Sequence, residues 1–246
     1  LIYKDSNMKK INTILAAVGA LLMLSVTGAN SVEFKAGVSA NGMAAYANAK
    51  ETLKDSGAVT NAEAILATSF ASVFAEISSD EMAGLGIGVS YAPDVAELNK
   101  ETRELDNRAD NSITNTAPGG TAGTGDTGSQ VVDAQIKDMV SVYLTLPVGG
   151  SGAYVKAGYI QATMITNESL SSGSKYEDVD LTGTQVGGGY EGSLGDMAFW
   201  RAEGTYQMWE DISASGSEAG ASSAAKNKIE AELGSITGSL SIGMKF

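Results

Sequence analysis

From Gly234 to Phe246 the chain reads G-S-I-T-G-S-L-S-I-G-M-K-F. One face of this stretch carries Ile236, Gly238, Leu240, Ile242, Met244 and Phe246, and the other carries Ser235, Thr237, Ser239, Ser241, Gly243 and Lys245. Successive side chains of an extended strand point to opposite sides, so the segment has one oily wall and one polar wall. A soluble strand runs about five to six residues, whereas a strand that crosses a bilayer needs about nine to eleven. The length and alternation therefore predict a membrane-barrel strand.

The pattern recurs upstream, bounded each time by Gly, Pro, Asn, Asp or Ser clusters. It predicts strands over Glu33 to Ala47, Thr68 to Ser78, Gly84 to Ala92, Ile136 to Leu146, Ala153 to Ile165, Leu181 to Gly192, Met197 to Ile212 and Ile229 to Phe246. The connections Ser79 to Ala83, Pro147 to Gly152 and Ser193 to Asp196 are short, and Asn48 to Ala67, Pro93 to Gln135, Thr166 to Asp180 and Ser213 to Lys228 are long. Eight strands with strictly alternating short and long connectors predict an all-β fold. It is an eight-stranded antiparallel up-and-down transmembrane barrel, with short periplasmic turns and long extracellular loops.

The apolar sets Trp200 to Met208, Val140 to Leu146 and Leu85 to Tyr91, each at alternate positions, carry no charge. A Lys or Arg facing lipid at mid-membrane costs about 2 to 4 kcal/mol, which accounts for that absence. Two strands are less regular. Parity beyond Tyr159 puts Gln161 outside, and alternation lapses near Gly42 and Met43; a bulge would restore either one. Phe34, Tyr159, Tyr190, Trp200 and Phe246 fall near the periplasmic ends or in the lower half, and Tyr46, Tyr91, Tyr206 and Trp209 toward the outer ends. Such placement predicts two aromatic girdles at the headgroup levels.

Met8, Lys9 and Lys10 followed by the apolar run Ile14 to Leu24 and the small residues Thr27-Gly28-Ala29 read as a secretory signal peptide, cleaved after Ala29. That run is too short for a transmembrane helix, which needs about twenty apolar residues. Residues 1–7 fit no targeting pattern and read as upstream translation. The leader is assigned to 8–29 and the barrel domain to 30–246.

The net charge is −13, with no basic patch, so nucleic acid is not an expected partner. Acidic side chains such as Glu97, Glu101, Glu168, Asp178 and Glu218 sit in the long connections, a solvated rim rather than a cation site. The chain has neither Cys nor His. A Ser nucleophile without a base is weak, and His- or Cys-based metal sites are closed, so no catalytic, cofactor-binding or metal residues are assigned. Gly187-Gly188-Gly189-Tyr190-Glu191-Gly192 matches a dinucleotide pattern but lies inside an alternating strand. Asp178-Val179-Asp180 lacks the glycine and spacing of a calcium loop. Pro118 to Ser129, rich in Gly and Thr, reads as a low-complexity loop tip.

Glu76, Glu191 and Glu203 have lumen parity, as do Lys35, Lys137, Lys156, Arg201 and Lys245. They are expected to form buried ion pairs filling the lower barrel, centred on Arg201 and Glu203 of one strand facing Glu76 and Lys156 of others. Lumen glycines at 84, 86, 88, 158, 187 and 189 offer the opposite expectation, an unfilled bore.

With leader, strand count, alternating connectors and the terminal S-L-S-I-G-M-K-F together, the chain resembles the small eight-stranded outer-membrane barrels of Gram-negative bacteria, the OmpA-type transmembrane domain and OmpX-like proteins. The resemblance implies that Leu240, Ile242, Met244 and Phe246 form the signal read by the barrel-assembly machinery, with outer-membrane lipid as the surrounding partner. No peptidoglycan-binding domain is seen after Phe246, so cell-wall tethering is not expected. Outer-membrane barrels that are enzymes use a His as base or orienter, and this chain has none. The functional expectation is a non-enzymatic integral outer-membrane barrel with an envelope-structural role, or one in which its loops bind an unidentified extracellular partner. Two alternatives stay open: a narrow porin-like channel for water, ions or small solutes, and a soluble exported barrel that binds an apolar ligand.

Overall fold

A computed structural model of the chain describes residues 32–52, 59–97, 101–105, 128–169, 174–218 and 228–246. The assigned leader, residues 1–7 and the loop tip from 118 to 127 lie outside the described residues. Long strands dominate: β1 (Val32–Thr52), β2 (Val59–Ser79), β3 (Leu85–Glu97), β4 (Glu101–Leu105), β5 (Gly128–Pro147) and β6 (Ala153–Ser169) are followed by β7 (Ser174–Lys175), β8 (Val179–Leu194), β9 (Ala198–Trp209), β10 (Ile212–Ser215), β11 (Ser217–Glu218) and β12 (Lys228–Lys245).

Eight of these close a barrel in the order β1-β2-β3-β5-β6-β8-β9-β12, with β12 returning to β1 and every seam antiparallel. Following the register from Phe34 through Ile77, Ile87, Leu144, Ala157, Val186, Tyr206 and Ile236 leads back to β1 at Ala44, ten residues beyond the start. A stagger of that size around eight strands tilts them by about 40° from the barrel axis.

All eight expected strands are present, and several run further toward the long-connection end than the alternation indicates. The first connection, expected over Asn48 to Ala67, is mostly ladder, with Thr52 still opposite Val59. Glu97, Glu101 and Glu168 are likewise strand residues, and Gly128 and Ser129 open β5 rather than belonging to a loop tip. The wall thus rises above the span that a bilayer requires, with β1 and β2 at 21 residues each.

Neither expected bulge occurs where the alternation lapses. The β1 ladders run without a register shift, and Met43 points inward as its parity requires, buried with Ala92 and Val95. β6 also keeps continuous register with β8, so Gln161 stays outward, opposite Thr182. The irregularities lie on neighbouring strands instead, between Lys137 and Val140 on β5 and between Asp94 and Ala96 on β3. Asp138, at φ 53°, takes the left-handed conformation that the β5 bulge demands.

One seam is short. β2 pairs with β3 only from Val73–Tyr91 to Ser79–Leu85, although β2 continues to Val59 against β1 and β3 continues to Glu97 against β5. Pro93, two residues past the last pair, has no N–H to donate and ends the ladder. Beyond that point the strands are tied by the Thr68 hydroxyl, which donates to the Val95 carbonyl at 3.0 Å.

The short-turn end is compact. A 3-10 turn (Asp80–Met82) joins β2 to β3, and Phe34 and Phe246 exchange backbone hydrogen bonds of 3.1 and 2.9 Å to finish the β12–β1 seam. At the opposite end the interior is apolar. Met43, Ala92 and Val95 form one buried cluster and Ala162, Leu181 and Ile212 another; Ile136 and Met139 pack against both, Phe70 against the first, and Trp209 and Leu233 against the second.

Candidate functional site

The features able to carry function are the two faces of this wall. On the outside, Leu240 (67% exposed), Ile242 (61%), Met244 and Phe246 (64%) form an unbroken apolar row along β12. Val38 and Val73, Val142 and Leu144, and Val155, Val186 and Trp200 are exposed on the other strands. Among the described residues, no outward position is charged from Phe34 to Tyr46 on β1, from Trp200 to Met208 on β9 or from Ile236 to Phe246 on β12. A soluble protein rarely leaves a contiguous apolar surface larger than a few hundred Å² in water, and this one circles the molecule.

Aromatic rings sit at both margins of that surface. Phe34 stacks on Phe246 with centroids 6.1 Å apart, and Tyr190 on Trp200 at 5.7 Å, both toward the short-turn end. Tyr159 is exposed on β6; higher up, the Tyr46 and Tyr206 hydroxyls meet at 3.2 Å, and the Tyr91 hydroxyl donates to Asp138 Oδ1 at 2.7 Å. Trp209 departs from the expected girdle. Its parity on β9 matches Arg201, Glu203, Thr205 and Gln207, so it points inward, packs against the Leu181 cluster and donates from Nε1 to Ser235 Oγ at 3.0 Å.

Inside, the bore is layered. Arg201 lies across the lower bore with its Nη1 and Nη2 both 3.1 Å from the Glu76 carboxylate, a fork that matches two oxygens at once. Its Nη2 also reaches Glu191 Oε2 at 2.7 Å. Lys35 continues the chain to Glu191 at 2.8 Å and Glu33 at 3.1 Å, and Lys245 lies 3.8 Å from Glu33. Rings surround the guanidinium: Tyr154, Phe74 and Phe199 centroids are 5.1, 5.3 and 5.5 Å from its carbon, within cation–π reach. A second pair stands beside the first. Lys156 Nζ contacts Glu203 Oε1 at 2.6 Å and lies 4.0 Å above the Tyr143 ring, while the Tyr154 hydroxyl donates to Glu203 Oε2 at 2.8 Å.

The structure sets Arg201 and Glu203 of one strand against the charges of two others, Arg201 with Glu76 on β2 and Glu203 with Lys156 on β6. Lys35 and Glu191, expected in the same network, complete the first group. Parity marks the inward charges of this network; which ones meet depends on the ten-residue stagger, and alternation carries no information about stagger. The inward expectation for Lys137 is corrected: the β5 irregularity puts Ile136 and Met139 inward and leaves Lys137 opposite the outward Thr163, outside the network and 3.6 Å from Asp94.

The expectation of an unfilled bore above the lumen glycines is corrected. The Tyr143 ring occupies the space above Gly88, the Tyr154 ring covers Gly189, and Thr145 and Glu76 cover Gly86. Glycine here makes room for a neighbour's large side chain rather than for water. Above the charges comes a belt of hydroxyls and amides. Ser39 and Ser241 share a 2.8 Å bond, Asn41 donates to Ser72 at 2.9 Å, and Gln207 donates to Thr237 at 2.9 Å. Gln185 donates to Ser141 in the same belt. These groups line a cavity of about 50 Å³, room for a few waters at most. Arg201 also lines it, and its Nε has no protein partner. The apolar clusters close the bore above.

No protein-family model matches the chain, and no curated protein does. Among solved structures it is similar to the outer membrane protein OprG from Pseudomonas aeruginosa, with 14% identity, a TM-score of 0.48, and coverage of 89% of this chain and 98% of that one. It is also similar to the outer membrane protease OmpT from Escherichia coli, at 11% identity and TM-score 0.46 over 87% of this chain and 97% of that one. A third similar structure is Ail, the attachment invasion locus protein of Yersinia pestis, solved with the heparin analogue sucrose octasulfate, at 11% identity and TM-score 0.39 over 87% and 99%.

Proposed function

We propose that this chain is a non-enzymatic integral outer-membrane β-barrel that does not conduct and whose role is envelope structure and display of its raised outer wall to an extracellular partner. The observation that carries the reading is the inversion of the two faces: uncharged apolar side chains outside, and charges, hydroxyls and amides within the lower and middle bore. Hydrocarbon is the solvent that favours this arrangement, and a closed barrel leaves no unpaired strand edge inside it. The signal peptide read from residues 8–29 supports export, and the short-turn end with Phe246 is then periplasmic. The row Leu240, Ile242, Met244 and Phe246 lies open along the closing strand, as a signal read before closure requires. The absence of His throughout the chain weighs against the acid–base machinery of membrane hydrolases.

The narrow channel is the second reading, and the polar cavity in mid-bore is the observation in its favour. Conductance of the refolded protein in a planar bilayer separates the two. The proposal expects a silent membrane under voltages at which a porin control opens; discrete openings would overturn it in favour of transport. The soluble ligand-binding reading predicts release from membranes by an alkaline carbonate wash, and the proposal expects retention until detergent is added.

A further inference from the structure

Resting on the non-conducting reading, we infer that the seal against ions is the apolar layer at the outer end of the bore, and that the ion pairs below are not needed for it. Two observations carry this. The layer is complete in cross-section, because every barrel strand contributes to it, from Met43 on β1 and Phe70 on β2 round to Trp209 on β9 and Leu233 on β12. Ile136 and Met139 of β5 pack against both of its clusters, and Ala162 and Ala92 within it are 0% and 1% exposed. An ion entering it would lose its hydration shell among aliphatic and aromatic side chains, since polar atoms bordering the layer, such as the Thr68 hydroxyl and Trp209 Nε1, are already bonded to the Val95 carbonyl and Ser235 Oγ.

The ion-pair layer is a different kind of obstacle. Its members grow wetter toward the short-turn end: Arg201 and Glu76 side chains are 5% and 2% exposed, Lys35 and Glu191 12% and 19%, Lys245 and Glu33 27% and 40%. Water thus reaches it from that end, and its charged groups supply replacement ligands for a permeating ion. The cavity above it, with Arg201 Nε facing no protein acceptor, is a polar chamber with room for a few waters under the apolar ceiling.

The test is planar-bilayer conductance of the full barrel, each variant first shown to be folded by its heat-dependent shift on a gel. Glu76→Ala with Arg201→Ala removes the lower obstacle, and Glu76→Gln with Arg201→Met removes its charge at nearly constant volume should the first variant fail to fold. Both are expected to stay at the level of the empty bilayer. Adding Met43→Ser and Met139→Ser makes the ceiling polar and is expected to give discrete openings, with mean current at least tenfold above that level. Openings from either lower-layer variant with the ceiling intact would overturn the inference, as would silence from the folded combined variant. Openings from the unaltered protein would overturn the non-conducting reading itself, a distinguishable result.

Discussion

Gly88 has a neighbour's aromatic ring where a side chain of its own would begin, and Arg201 has carboxylates on two sides with rings around it. Both positions show how an eight-stranded bore, only just wide enough for side chains, is filled by exchange of volume between strands. Gly88→Val would push the Tyr143 ring out of its place beneath the Lys156 ammonium, an overpacking expected to cost about 1 to 3 kcal/mol in urea unfolding from detergent micelles. Arg201→Met strands the Glu76 carboxylate, which is 2% exposed, without its cation. A loss of about 3 to 5 kcal/mol is expected. Glu76→Gln in the same background should restore part of it, and a double variant as unstable as the sum of the singles would show that the two side chains do not act as a pair. At this scale the sequence displayed the inward charges and the glycines but not their partners. Glycine at a lumen position reads equally well as empty space or as a slot for a ring; only the opposing strand decides which.

Among the elements, the strand cores were legible because an apolar exterior and polar atoms inside impose strict alternation. Their outer extensions were not. Above the apolar belt the exterior carries polar side chains such as Asn61 and Glu63 while the interior becomes apolar, so Val59 to Leu66 loses the pattern even as its ladder against β1 continues. Trp209 belongs to the same region: its height along β9 matched a girdle, but the inward face there is the oily one. Bulges were legible only as disturbance, displaced onto β3 and β5, where Pro93 and the left-handed Asp138 mark them. The short β2–β3 seam has a measurable consequence. Residues of β2 from 59 to 72 have one ladder partner, whereas β5 from 140 to 145 is flanked on both sides. Alternate amides within 59–72, those directed toward β3, are expected to exchange hydrogen much faster than any in 140–145 of β5. Uniform protection across both segments would show that the seam is paired throughout.

For the molecule as a whole, closure and strand number followed from counting alternating segments and connectors. The stagger did not, since it is set by side-chain fit across seams rather than by any one strand. The closing strand carries its own test. Phe246 ends β12 against Phe34 and leaves its ring 64% exposed. Phe246→Ala is expected to lower the heat-shifted, membrane-assembled fraction several-fold in cells while the purified chain still refolds in detergent. Equal loss in both settings would assign the ring to stability instead of assembly.

The inverted faces on which every scale depends can be read from the two tryptophans of the chain, Trp200 outward and Trp209 inward. The measurement is tryptophan fluorescence of the refolded protein in bilayers whose acyl chains carry bromine, a short-range quencher. With Trp209→Phe, the remaining Trp200 should be strongly quenched relative to unbrominated lipid; with Trp200→Phe, the remaining Trp209 should keep its emission. Trp200 left unquenched, or both quenched alike, would contradict a wall whose outer face meets hydrocarbon and whose inner face does not.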